Sequence, residues 1–142
     1  MEETQEKALQ RETVAIDITP RVTPFAELDD AVQLAVRCAA DKKASDIKIL
    51  DLRDVASFTE FFIVATASNQ RQVQAIADEI RERLKKDLGI AVVRTEGYTT
   101  AEWVLLDFGD FIVHIFDKDA REFYDLERLW RDAGSVTLPE DL

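Results

Sequence analysis

The stretch Phe61-Phe62-Ile63-Val64-Ala65-Thr66, followed by a periodic run from Asn69 to Leu88, carries most of the information about the fold. Six consecutive uncharged, mostly apolar residues read as a central strand buried on both faces. In the run after it, Val73, Ile76, Ala77, Ile80 and Leu84 line one stripe of a helix. Glu79 with Arg83, and Glu82 with Lys86, form i,i+4 pairs on its wet face. Gly89 stands where a helix of this length stops.

Toward the N-terminus, Ile47, Ile49 and Leu50 suggest a short strand, set off by Ser45-Asp46. Before it, Leu28, Ala31, Val32, Ala35 and Ala39 recur at helical spacing, which predicts a helix from about Phe25 to Lys42. Residues 1–24 are polar and end at Pro24, so they read as a loose N-terminal extension. Val14, Ala15, Ile16 and Ile18 offer a short strand within it. Toward the C-terminus, Ile90–Arg94, Trp103–Asp107 and Phe111–Phe116 read as three strands. The last two are joined by the hairpin Asp107-Phe108-Gly109-Asp110, with glycine at the third turn position. A last helix holds Phe123, Leu126, Leu129 and Trp130; Gly134 stops it, and residues 135–142 form an acidic tail. The expectation is one α/β (α+β) domain over 25–134, with a mixed five-stranded sheet covered by helices.

Composition narrows the function. A chain of 142 residues, 46% hydrophobic, is enough for one domain with a real core. The formal charge of −11 leaves no basic surplus for neutralising phosphates, so direct sequence-specific nucleic-acid binding is not expected. An acidic surface suits a basic protein partner. The single cysteine, Cys38, cannot form a disulfide within the chain and sits among small residues, as a buried inert thiol would. No apolar run approaches the roughly 20 residues of a membrane span. The acidic start, Met1 to Glu6, is unlike a targeting signal, so a cytoplasmic protein is expected.

Motifs for catalysis do not converge. His114 is the lone histidine, on a strand whose Ile112, His114 and Phe116 share a face, and it reads as structural. Asp117 and Asp119 have a spacing that holds magnesium in nucleotidyl-transfer enzymes. They also stand just before a helix, where carboxylates cap the N-terminus, and Thr66-Ala67-Ser68-Asn69 offers no glycine cradle. Neither a metal nor a cofactor is expected. The hairpin is more informative. A turn position usually projects into solvent, which makes Phe108 a candidate contact residue. Trp103, sharing its face with Leu105 and Asp107, fits either core or interface. From Glu96 to Glu127 there are nine acids against two bases, net −7, so most of the excess charge surrounds this hairpin. Aromatics rimmed by acids fit an interface for a basic protein.

Several long motifs then occur in order. Ser57 to Ile80 contains the strand and helix start already quoted; Glu96-Gly97 follows, then Trp103-Val104-Leu105-Leu106-Asp107-Phe108-Gly109-Asp110, Val113-His114-Ile115-Phe116, and Arg121 to Trp130. Together they resemble the ribosomal silencing factor family, RsfS or Iojap, from about Phe25 to Ala133. The resemblance implies a nucleotidyltransferase-like core without its catalytic residues. It also implies binding to the large-subunit ribosomal protein L-fourteen, blocked joining of the small subunit and reduced translation when nutrients are short. A homodimer is a further expectation. On this resemblance the hairpin residues Trp103, Asp107, Phe108 and Asp110 form the partner-binding site. Glu96, Arg71 and Tyr124 match motif positions either as partner contacts or as supports of the loop. The sequence departs from the family pattern at Glu60, where many members have aspartate, and at Ala67, where they have glycine. Two rival readings are an assembly factor for the large subunit and a nucleotidyltransferase-like enzyme using Asp117 and Asp119.

Overall fold

Every residue of the central run is buried: Phe61–Ala67 forms strand β3, with helices packed on one side and aromatic side chains on the other. The computed structural model describes residues 20–142. The strand expected at Val14–Ile18 therefore lies outside the described residues. In chain order come β1 (Val22–Pro24), a 3-10 turn (Phe25–Glu27), α1 (Asp30–Asp41), β2 (Ser45–Asp51), β3, α2 (Gln70–Leu88) and β4 (Arg94–Glu96). Then follow β5 (Trp103–Asp107), β6 (Phe111–Asp117), α3 (Lys118–Tyr124), α4 (Leu126–Leu129) and β7 (Gly134–Thr137). The strands form one mixed sheet in the order β1-β7-β2-β3-β6-β5-β4. β3 and β6 run parallel at its centre, with β2 and β5 antiparallel on their outer sides.

The mixed sheet with helices matches the expectation; the count of five strands does not, because the sheet has seven among the described residues. The two strands that were missed lie at one edge. β1 comes from the segment read as an extension, and β7 begins at the last residue assigned to the domain and runs into the tail. With three and four residues, they are too short to display a period of two. Side chains tie them in. Thr23 donates to the Asp51 carboxylate at 3.2 Å, and Arg53 Nη2 donates to the same group at 2.6 Å. Burial works against ionising Asp51, but the hydrogen bonds from Arg53 outweigh it and hold the carboxyl below its ordinary range.

α2 follows its sequence pattern closely. The Asn69 side chain caps it by accepting from the Gln72 amide at 2.8 Å, and Gly89 ends it in the left-handed conformation. α1 starts five residues later than expected, at Asp30, because Phe25–Glu27 makes a tighter turn and Leu28 is extended. The predicted strand Ile90–Arg94 also moves: β4 begins only at Arg94, while Ile90 and Val92 pack against the helical core. In that core Val36, Ala39, Val73, Ile76, Ile80 and Leu84 meet Ile63, Val104, Leu106, Val113 and Ile115. Cys38 is fully buried there, and burial pushes its thiol up to about 11.

The single last helix is broken. Asp125 adopts a left-handed conformation (φ 48°) that ends α3 and starts α4 in a new direction. Arg121, only 7% exposed, accounts for the break. Its guanidinium donates to Glu127 at 2.8 Å, to the Asp46 carbonyl at 2.9 Å and to Thr66 Oγ1 at 2.6 Å. A continuous helix would carry Glu127 away from it, six residues being nearer two turns than one.

Candidate functional site

Residues directly opposite each other in a sheet project from the same face. The register pairs Trp103 with Phe116, Leu105 with His114 and Asp107 with Ile112. Further out it pairs Arg94 with Asp107 and Glu96 with Leu105, and inward it pairs Val64 with His114. All of these therefore lie on the sheet face opposite α1 and α2, which α3, α4, the segment around Trp130 and the loop of Leu52 and Ala56 cover in part. The face is aromatic. Phe62 packs edge-on against His114 at 4.5 Å and against Trp130 at 5.6 Å, and Phe58 reaches both Phe62 and Trp130.

Trp103 is the centre of its more open side. The indole is half-buried, stacked on Phe116 at 5.0 Å, with the Tyr124 ring at 4.7 Å. Its Nε1–H donates to His114 Nδ1 at 3.0 Å. Tyr124 beside it is 45% exposed, and Phe123 (81%) and Leu129 (75%) line a surface hollow with Tyr124, among the charged Glu122, Arg128 and Asp132. The break at Asp125 puts Phe123 and Leu129 there, since an unbroken helix would have turned one stripe inward. The sequence reading assigned Phe123 and Leu129 to one helix and gave neither a contact role. Phe58, 58% exposed, it did not single out at all, although a lone aromatic between Ser57 and Thr59 was a usable signal.

The backbone at Trp103 is held from behind. Gly97 has φ 78°, and a Cβ built on it would stand 2.1 Å from the Trp103 carbonyl oxygen. The Ala101 amide donates to the Gly97 carbonyl at 2.9 Å, closing the loop before β5. From α2, Gln74 donates to the Tyr98 carbonyl, and the Tyr98 hydroxyl donates to the Asp78 carboxylate. The Glu96-Gly97 motif is thus explained by close approach of two backbones.

The residues singled out by sequence do not all converge. Trp103, Tyr124, Asp107 and Glu96 share the open face. Asp107 and Glu96 both approach Arg94, at 3.7 and 2.9 Å, in an exposed pairing that contributes little stability. Asp110 is exposed at the hairpin tip. Phe108 does not project into solvent. It is only 9% exposed, stacks on Phe111 at 4.9 Å, and belongs to the helical core on the far side of the sheet. The reason is the turn. Phe108 and Phe111 form the last paired residues, and Gly109-Asp110 is the two-residue loop, so glycine holds the second turn position rather than the third. Arg71 is exposed on the first turn of α2, across the sheet from Trp103.

His114 is 3% exposed, and burial among the aromatics pushes it down to about 4. It is therefore neutral at physiological pH. An indole N–H only donates, so Nδ1 is the bare nitrogen and the proton sits on Nε2. That Nε2 is buried with no hydrogen-bond partner among the described residues. Asp117 accepts from the Ala120 amide at 2.8 Å and so caps α3, as the capping reading has it. A cleft of about 520 Å³ opens at the C-terminal ends of β3 and β6, lined by Asp46, Thr66, Lys118, Glu122 and Glu127 around Arg121, whose donors are already taken.

Residues 26–142 match the family described as ribosomal silencing factor during starvation. The chain is similar to the ribosomal silencing factor RsfS of Halalkalibacterium halodurans, 42% identical over 77% of this chain and 92% of that protein. RsfS of Bacillus subtilis is 41% identical over 75% and 90%. The chloroplastic protein Iojap of Arabidopsis thaliana is 39% identical over 82% of this chain and 51% of its own length. Among solved structures, a crystal structure from Chromobacterium violaceum superposes with a TM-score of 0.71, at 36% identity, covering 80% of this chain and 91% of that one.

Proposed function

The chain belongs to the ribosomal silencing factor family, and from that premise we propose that it binds the large ribosomal subunit through protein L-fourteen and keeps the small subunit from joining. Translation falls as a result, and the family description ties this to starvation. The observation that supports this most is the half-covered aromatic face around Trp103, set in the most acidic stretch of the chain. In this reading Trp103 and Tyr124 are the apolar anchors, with Phe123 and Leu129 widening the contact. Asp107, Asp110 and Glu96 meet basic side chains, exchanging the weak pairing with Arg94 for one with the partner. Phe108 acts from the core side by stiffening the hairpin, and Arg71 lies outside the contact.

The mechanism is steric. Occupying about 800 Å² on the joining surface suffices to exclude the other subunit. No bond is made or broken, and the nucleotidyltransferase-like core that the family resemblance implies serves as a scaffold. A homodimer and a cytoplasmic site of action belong to the same proposal. The test is co-sedimentation with purified large subunits, followed by addition of small subunits. We expect the protein to pellet with large subunits and to lower the yield of joined ribosomes. Binding without a joining defect would replace this reading with one of subunit assembly, and absence of binding by folded protein would remove both.

A further inference from the structure

We infer that His114 is a positioning residue for Trp103, fixing the indole in the orientation that the partner meets; the inference rests on Trp103 being a partner contact. Three observations carry it. The hydrogen bond from Trp103 Nε1 to His114 Nδ1, at 3.0 Å, is the only polar contact of the indole among the described residues. Stacking on Phe116, with the tilted Tyr124 ring against it, holds the plane of the indole but does not by itself fix its position in that plane. The hydrogen bond removes that freedom, because it is directional while stacking is broad.

The histidine is placed for this at a cost. It is buried beside Phe62 and Phe116, and its Nε2–H finds no acceptor among the described residues, which is unfavourable for a buried donor. An apolar residue would fill the same space without that loss. What an apolar residue cannot supply is an acceptor facing the indole. Leu105, directly opposite His114 and flanking Trp103 on the same face, supplies none. A preorganised aromatic anchor binds more tightly because less freedom is lost on docking.

The test uses the full chain, large ribosomal subunits and five variants, one of them double. Only two tryptophans exist, so the indole N–H spectrum of nitrogen-labelled protein has two signals, and Trp103→Phe assigns them. His114→Phe keeps a ring and removes the acceptor. We expect it to shift the Trp103 indole signal and speed its exchange with solvent, and to weaken large-subunit binding about three- to tenfold. His114→Asn returns an acceptor near the Nδ1 position and should restore at least half of that loss. In the Trp103→Phe background, His114→Phe should have no further effect on binding. Wild-type affinity in His114→Phe, alongside weakened binding in Trp103→Ala, overturns the positioning role and leaves the site reading intact. Unchanged affinity in folded Trp103→Ala overturns the site reading and this inference with it. A loss in His114→Phe that persists in full without the indole assigns the histidine to general packing and likewise overturns it.

Discussion

At the scale of single residues, the two parts of the Glu96-Gly97 to Trp103 segment behave differently. Trp103 is half-buried in the free protein, so truncating it removes part of a packed face and the centre of the proposed contact. Trp103→Ala should weaken large-subunit binding about thirtyfold, roughly 2 kcal/mol, measured on protein shown to be folded by its near-ultraviolet dichroism. Gly97 acts on stability instead. Its left-handed backbone and the 2.1 Å approach to the Trp103 carbonyl mean that a methyl group must push β5 away. Gly97→Ala is expected to cost about 2–4 kcal/mol in denaturant unfolding. Gly89 is a control with the same backbone sign (φ 69°) and open space around it. Gly89→Ala should cost only about 1 kcal/mol, the backbone strain alone. Equal losses at the two positions would show that contact with Trp103 plays no part.

At the scale of elements, what the sequence made legible was whatever repeats. β3, α2, β5 and β6 come out within a residue or two of their observed limits, because each carries one pattern over five or more consecutive residues. The alternation in β5 and β6 also grouped Trp103 with Leu105 and Asp107, and His114 with Ile112 and Phe116, as the strand register does. β1 and β7 were hidden because pairing with a distant strand, not a local pattern, makes them strands. The broken helix was hidden for a related reason. Phe123, Leu126, Leu129 and Trp130 have helical spacing, but Arg121 bonds to partners from β2, β3 and α4, and only the folded chain brings these together. Phe108 was misplaced because a one-residue change in turn register moves a side chain to the opposite face. One consequence is testable. If α3 and α4 are separate, Phe123 and Leu129 are surface residues, and Phe123→Ser with Leu129→Ser should change stability by less than about 1 kcal/mol in all. A continuous core helix would lose several times that. The same double variant should weaken large-subunit binding, since both side chains flank Tyr124.

At the scale of the whole molecule, acid is where fold and charge pull in opposite directions. The chain carries a formal charge of −11, so protonating carboxylates relieves self-repulsion and favours the compact state. His114 opposes this. Burial lowers it from 6.5 to about 4, so between those values the unfolded chain binds a proton that the folded chain refuses. Stability from this source is complete above about pH 6.5 and falls as the pH drops toward 4, by a total on the order of 3 kcal/mol. Below that, Asp51 and Glu127 continue the loss. Burial resists ionisation of both, but Arg53 and Arg121 hold them below their unfolded values, so the stability they contribute is present above those values and disappears on protonation. The histidine effect therefore comes first, in a window where the carboxylates are still charged. Unfolding by urea across pH 4 to 7 should show it, and His114→Phe isolates it. The wild type should lose stability steadily below pH 6.5, while the variant stays nearly flat for as long as the carboxylates remain charged. Parallel curves for the two proteins would mean that the buried imidazole takes up its proton in the folded state as readily as in the unfolded one. The packing of Phe62, Trp103 and Phe116 around it would then not exclude water.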